Sequence, residues 1–125
     1  MSTGLILFAH GARDPRWAEP FAAVAERIRG ADPSRLVELA FLEAMEPDLH
    51  GAARRLVAAG AARIDVVPLF LGTGGHLRKD LPPLVDAVQA EHPGLDLRLH
   101  PAIGEHAAVI EALASAALAI ARLGE

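Results

Sequence analysis

A chain of 125 residues with 52% hydrophobic content has enough material for one domain whose core needs no covalent staples. The formal net charge of −4, with Arg54-Arg55 and Arg78-Lys79 the only adjacent basic pairs, excludes a phosphate-neutralising face, and the 4% aromatic content removes the stacking platform of single-strand binders, so nucleic acid is not an expected partner. The absence of cysteine excludes a disulfide framework and a thiolate metal site, which leaves His, Asp and Glu as the available metal ligands.

In chain order, Leu5 to Ala9 is an apolar run that reads as a strand and is broken by His10-Gly11-Ala12-Arg13. Asp14-Pro15 can open a helix whose regular part begins near Glu19; Phe21, Val24, Ala25 and Ile28 follow the i, i+3, i+4, i+7 rule, and Gly30 stops it. Leu36 to Leu42 is a second strand ending in Glu43, followed by a helix with Leu49, Ala52, Ala53, Leu56 and Val57 on one face. A third strand, Ile64 to Leu71, stops at Gly72-Thr73-Gly74-Gly75, so that His76 is expected on a loop, and Asp80-Leu81-Pro82-Pro83 is expected to open the next helix, with Leu84, Val85 and Val88 inward. Leu95 to Leu99 alternates as a half-exposed edge strand, and Glu105 to Leu123 is an Ala-rich helix with Val109, Ile110, Leu113, Ala117 and Ile120 along one side.

Four βα repeats predict an α/β domain over residues 1–125, a four-stranded parallel sheet with right-handed crossovers and helices on its faces, one half of a flavodoxin-like sandwich. No apolar run approaches the ~20 residues of a membrane span, and Met1 to Leu7 has no basic n-region, so a soluble cytoplasmic protein with no membrane partner is expected.

His10, Glu43 and His76 each follow a strand, at the edge where open α/β sheets bind ligands. Two imidazoles and a carboxylate suit Fe(II), Co(II) or Ni(II) while leaving coordination positions open, provided strands one and three are neighbours; spacing alone equally allows loop residues that cap helix N-termini. Arg13, Arg78 and Lys79 beside the two histidines fit an anionic ligand, or are solvated loop charges. His50 is expected to face solvent, His92 to sit at a helix end, His100 to follow strand four and His106 to begin the last helix, all four in structural roles.

Leu7-Phe8-Ala9-His10-Gly11-Ala12-Arg13-Asp14-Pro15 and Pro68-Leu69-Phe70-Leu71-Gly72-Thr73-Gly74-Gly75-His76-Leu77-Arg78-Lys79-Asp80-Leu81-Pro82 resemble the two signature regions of the small sirohydrochlorin chelatases, class II tetrapyrrole chelatases that need no ATP. Phe41-Leu42-Glu43 with Pro47 is similar to the family's acidic position, and the resemblance covers essentially the whole chain, with Ala12 standing where the family usually has serine. The resemblance implies a chelatase-like domain that inserts Co2+, or Fe2+ or Ni2+, into sirohydrochlorin, a macrocycle fringed with carboxylates, in cobalamin or siroheme biosynthesis. His10 and His76 would then be catalytic and hold the metal with Glu43, while Arg13, Arg78, Lys79, Gly74 and Gly75 would bind the tetrapyrrole. No cofactor beyond the metal substrate is implied. A GxxxxGK[ST] loop is absent, in keeping with ATP independence.

Two rivals differ in class. A histidine phosphatase would carry Arg before the reacting His, and here that residue is Ala9. A metal or tetrapyrrole carrier would use the same ligands without turnover. Longer relatives with two such domains in one chain, together with the apolar breadth of the last helix, imply a homodimer.

Overall fold

Four strands, β1 (Ser2–Ala9), β2 (Leu36–Phe41), β3 (Ala61–Pro68) and β4 (Asp96–Leu99), form one sheet in the order β2-β1-β3-β4 in the computed structural model, which describes residues 2–125. Every pairing is parallel: Ala9 lies opposite Phe41 and Phe8 opposite Pro68, while Leu99 on β4 lies opposite Val66. The first and third strands are therefore neighbours, as a shared crevice for His10 and His76 requires. Both outer strands are short, and β4 turns Asp96 and Arg98 to solvent, which blunts the open edge.

Alternation along β1 splits the apolar residues between two layers. Ile6 and Phe8 point into the larger layer, with Ile64 and Val66, under α2 (Leu49–Ala58) and α3 (Gly75–Glu91). Leu7 and Val37 point the other way, where α1 (Glu19–Ala31) places Ala25 against them with Ile28 and Leu69 at the margin. The expected face of α2 is the one observed, with Leu49, Ala52, Ala53 and Leu56 buried, whereas on α1 only Ala25 is buried, Phe21 and Ile28 are half-buried and Val24 is 42% exposed. Asp48 caps α2, its carboxylate accepting from the Gly51 N–H at 2.8 Å.

Three sequence expectations are corrected. β3 ends at Pro68, because a residue without an N–H cannot extend the ladder, and Leu69 to Gly74 form a connecting loop rather than strand. α3 starts at Gly75, and Pro82 and Pro83 lie inside it. Two internal prolines cost a helix on the order of 3 kcal/mol each, offset here by burial of Leu81, Val85 and Val88 on the sheet, with Leu84 only half-buried. The last helix, α4 (Ala107–Arg122), lays no stripe on the core: none of its residues is buried, Val109 alone is half-buried, and its main neighbour is the short 3₁₀ turn Ile103–Glu105.

The four secondary histidines take structural positions. His50 does not simply face solvent: its Nδ1 lies 2.6 Å from Glu91 Oε1, tying α2 to α3 together with Arg54. His92 is the C-cap residue of α3. His106 caps α4, its Nδ1 accepting from the Ala108 N–H at 3.1 Å. His100 Nε2 lies 2.7 Å from Asp65 Oδ1, where Arg63 also donates. Burial pushes the Asp65 carboxyl up, but the Arg63 and His100 hydrogen bonds outweigh it and hold the group below the usual carboxylate range.

Candidate functional site

The site is built where β1 and β2 end side by side. Past the last ladder pair the two chains stay joined, because the Leu42 N–H donates to the Ala9 carbonyl at 2.9 Å and the Glu43 N–H to the His10 carbonyl at 3.1 Å. This level register presents both side chains on one edge, and His10 Nε2 stands 3.1 Å from Glu43 Oε1, with both groups about half-exposed. Phe70 supports the imidazole from below, its ring centroid 6.3 Å away in an edge-to-face arrangement, and itself packs edge-on to Phe8.

Gly11 makes this approach possible. It adopts φ +95°, and a Cβ there would lie 1.8 Å from the Glu43 carbonyl oxygen, so any side chain would push the end of β1 off the end of β2. Ala44, next to Glu43, is held at φ 65° in the left-handed region, at a cost of about 1 kcal/mol that recurs at functional sites.

His76 reaches the same edge by a different route from the one expected. It is the second residue of α3, after the N-cap Gly74, and is exposed on the opening turn rather than on a loop. The loop before it is anchored by backbone: the Gly104 N–H donates to the Phe70 carbonyl at 2.9 Å, and a Cβ at Gly104 would fall 1.9 Å from the Leu71 oxygen. Gly104 carries no sequence signal as a site residue, since its role is contact with a segment over 30 positions away. Leu71, 68% exposed, presents an apolar surface beside the glycines.

The structure thus pairs His10 with Glu43 and leaves His76 apart. Among the described residues no three His, Asp or Glu side chains stand close enough to hold a metal ion together. Arg13, Arg78 and Lys79 are exposed and form no ion pair among the described residues. Arg78 Nε lies 3.4 Å from Thr73 Oγ1, and both line a groove of about 340 Å³ between α3 and the segment after β4. A Cβ at Gly74 or Gly75 would meet nothing within 4 Å, and neither residue needs a left-handed φ, so the chain's own packing does not require glycine there. Their backbone, at the N-terminus of α3, is open to an approaching ligand.

A parallel α/β domain of this topology, with imidazole and carboxylate paired at the carboxyl edge of its sheet, falls in the chelatase-like class. The CbiX family model matches residues 4–119, and the chain belongs to that family. It is 33% identical over 87 residues to the sirohydrochlorin cobaltochelatase of Methanococcus aeolicus, covering 70% of this chain and 61% of that protein. The chain spans about three fifths of the length of the curated relatives it matches. Among solved structures, a cobalamin (vitamin B12) biosynthesis CbiX protein from Marinobacter aquaeolei superposes with a TM-score of 0.84 at 34% identity, over 96% of this chain and 98% of that one. The sirohydrochlorin chelatase SirB of Bacillus subtilis, solved with cobalt, superposes with a TM-score of 0.72 at 27% identity, over 81% of this chain and 44% of that one.

Proposed function

We propose that this chain inserts a divalent metal, Co2+ foremost and Fe2+ or Ni2+ as alternatives, into sirohydrochlorin without ATP, in cobalamin or siroheme biosynthesis. The observation that carries the reading is the 3.1 Å separation of His10 Nε2 and Glu43 Oε1 at the sheet edge. Ligands about 2.1 Å from one ion and at right angles to each other stand about 3 Å apart, so the pair already has the bite of two adjacent coordination positions. An ion held between the two groups would leave its remaining positions open to water and to ring nitrogens.

His76 stands apart from this pair and would act as a third donor once the opening turn of α3 moves toward it. Insertion requires the pyrrole nitrogens to lose two protons, and the neutral imidazoles of His10 and His76, on release from the metal, would each accept one. Arg13, Arg78 and Lys79 pair with the carboxylate fringe of the macrocycle, and the bare backbone at Gly74 and Gly75 lets that fringe approach the first turn of α3. The ring face lies over Leu71.

We place the protein in the cytoplasm as a homodimer: the SirB chain, of which the match covers 44%, has room for a second region of this size, whose place a second copy of this chain would take. Turnover of metal-free sirohydrochlorin with Co(II), Fe(II) and Ni(II) tests the function. Multiple turnovers of metallated product are expected; stoichiometric metal or tetrapyrrole binding with no turnover would make the chain a carrier instead.

A further inference from the structure

We infer that the start of α3 is a hinged arm that carries His76 to the His10–Glu43 pair, and that Pro82 and Pro83 are the positioning residues that free it. The inference rests on the function proposed above and names how its third donor arrives. Both prolines are exposed, so their rings add little to the core. What they change is the ladder. Without N–H groups they leave the carbonyls of Arg78 and Lys79 with no intrahelical donor, and the carbonyls of Gly75, His76 and Leu77 reach no further than the N–H groups of Lys79, Asp80 and Leu81. Residues 75–79 therefore have no ladder bond to the body of α3 beyond Leu81.

Side chains hold this stretch just as lightly. From Gly74 to Asp80 only Leu77 is half-buried and the rest are exposed, whereas Leu81, Val85 and Val88 are buried and fasten the remainder of the helix to the sheet. The Arg78 Nε to Thr73 Oγ1 bond ties the stretch only to its own preceding loop. In that loop Gly72, Gly74 and Gly75 form the second joint. A Cβ at any of them would meet nothing within 4 Å and none has a left-handed φ, so the observed arrangement does not need glycine, although glycine gives up more backbone freedom on folding than any other residue. Another arrangement uses that freedom. Just before the glycines Leu71 is fixed by the backbone of Gly104, so the arm has firm ends at Leu71 and Leu81 and a loose joint beside each.

The arm also has room to move. The groove of about 340 Å³ separates Thr73, Leu77 and Arg78 from His100, Pro101 and Glu105 on the neighbouring segment. Pro82 and His76 are about 9 Å apart along the helix, so a change of about 30° in the bend at the prolines moves the tip by about 5 Å. A shift of that size brings a donor into or out of a coordination distance of about 2 Å. Among the described residues His76 belongs to no group of three metal-binding side chains, which is the open position. The open arm admits the ion and releases product, and the closed arm completes the donor set.

Deuterium exchange of the full-length chain, with Co2+ alone as the probe, reads the arm without the insertion assay. In the metal-free protein the amides of residues 78–81 should exchange about 100-fold faster than those of residues 85–88, and Co2+ should slow them about tenfold in the wild type but not in His76→Ala. Combining Pro82→Ala with Pro83→Ala restores both donors at exposed positions, and circular dichroism checks that the domain stays folded. In that variant exchange at 78–81 should slow without metal, and kcat for insertion into sirohydrochlorin should fall about tenfold with KM unchanged. Where Co2+ binds and product forms, the arm alone is overturned by any of four results: metal-free amides at 78–81 as slow as those at 85–88, exchange there unaffected by Co2+, slowing that persists in His76→Ala, or a wild-type kcat in the double-alanine variant. Slowing that depends on His76 without turnover would keep the arm and remove the chelatase. A chain that neither binds Co2+ nor forms product would overturn both.

Discussion

Replacing Gly11 by alanine probes the site through an atom it lacks. The added Cβ would fall 1.8 Å from the Glu43 oxygen and must retreat by more than an ångström, and since the obstacle is backbone, no rotamer change relieves the clash. Alanine at φ +95° adds about 1–2 kcal/mol of conformational cost, and loosening the Glu43 N–H to His10 carbonyl bond adds about 1 kcal/mol, so the variant should lose about 2–3 kcal/mol of stability in urea unfolding. The functional loss should be larger. Once the His10 and Glu43 side chains stand more than an ångström further apart they no longer span adjacent positions on one ion, and misplacement of that size lowers turnover about 100-fold. Cobalt affinity by calorimetry and insertion into sirohydrochlorin are the assays, with Gly30→Ala as control: that position has open space around it and no left-handed φ, so alanine there should stabilise α1 by about 0.5–1 kcal/mol and leave both assays unchanged. A folded Gly11→Ala protein with wild-type cobalt affinity and rate would refute the reasoning.

His10→Ala and His76→Ala should each reduce cobalt affinity and insertion by at least tenfold, Glu43→Gln by less; wild-type values in either histidine variant would remove that residue from the metal path. Arg13→Ala and Arg78→Ala should raise KM more than they lower kcat, and a purely kcat effect would contradict carboxylate recognition. Asp65 titrates below its unfolded value of about 3.9, so its contribution is fully present above that pH and is lost as pH falls through the folded value. Asp65→Asn should therefore cost about 1–3 kcal/mol at pH 7 and flatten the acid limb of stability below about pH 4, as measured by urea unfolding at pH 7 and 3. Gly104→Ala should displace the Leu71 segment and lower insertion while cobalt affinity of the His10–Glu43 pair is kept; unchanged insertion would show that the loop tolerates the shift.

What was legible in the sequence follows from which interactions are local. The strands declared themselves through runs such as Leu5 to Ala9, and the burial of Leu49, Ala52, Ala53 and Leu56 follows directly from helical spacing. Pro82-Pro83 misled because proline favours a helix's first turn, and only tertiary burial of Leu81 and Val85 accounts for the turns of helix ahead of it. For α4 the apolar side was readable but its lack of cover within the chain was not, since periodicity reports that a face is apolar and is silent about what lies against it. At the site, His10 and Glu43 could be proposed from their positions after strands, whereas Gly11 and Gly104 matter through backbone contacts with Glu43 and Leu71, which one-dimensional spacing does not encode.

The strand order also has a consequence for how the chain assembles. Ribosomal synthesis delivers these strands as one, two, three, four, whereas the sheet stacks them as β2-β1-β3-β4, so β1 is made before both of its neighbours and ends as an interior strand. β1 can recruit β2 once Leu36 to Phe41 have emerged, but its other edge stays bare until Ala61 to Pro68 leave the exit tunnel. For that interval the strand that ends up most deeply buried, with Ile6, Leu7 and Phe8 at its centre, exposes an unpaired ladder. Parallel pairing across such separations is intrinsically slow, and the nascent chain passes through its greatest risk of aggregation before His76 has emerged.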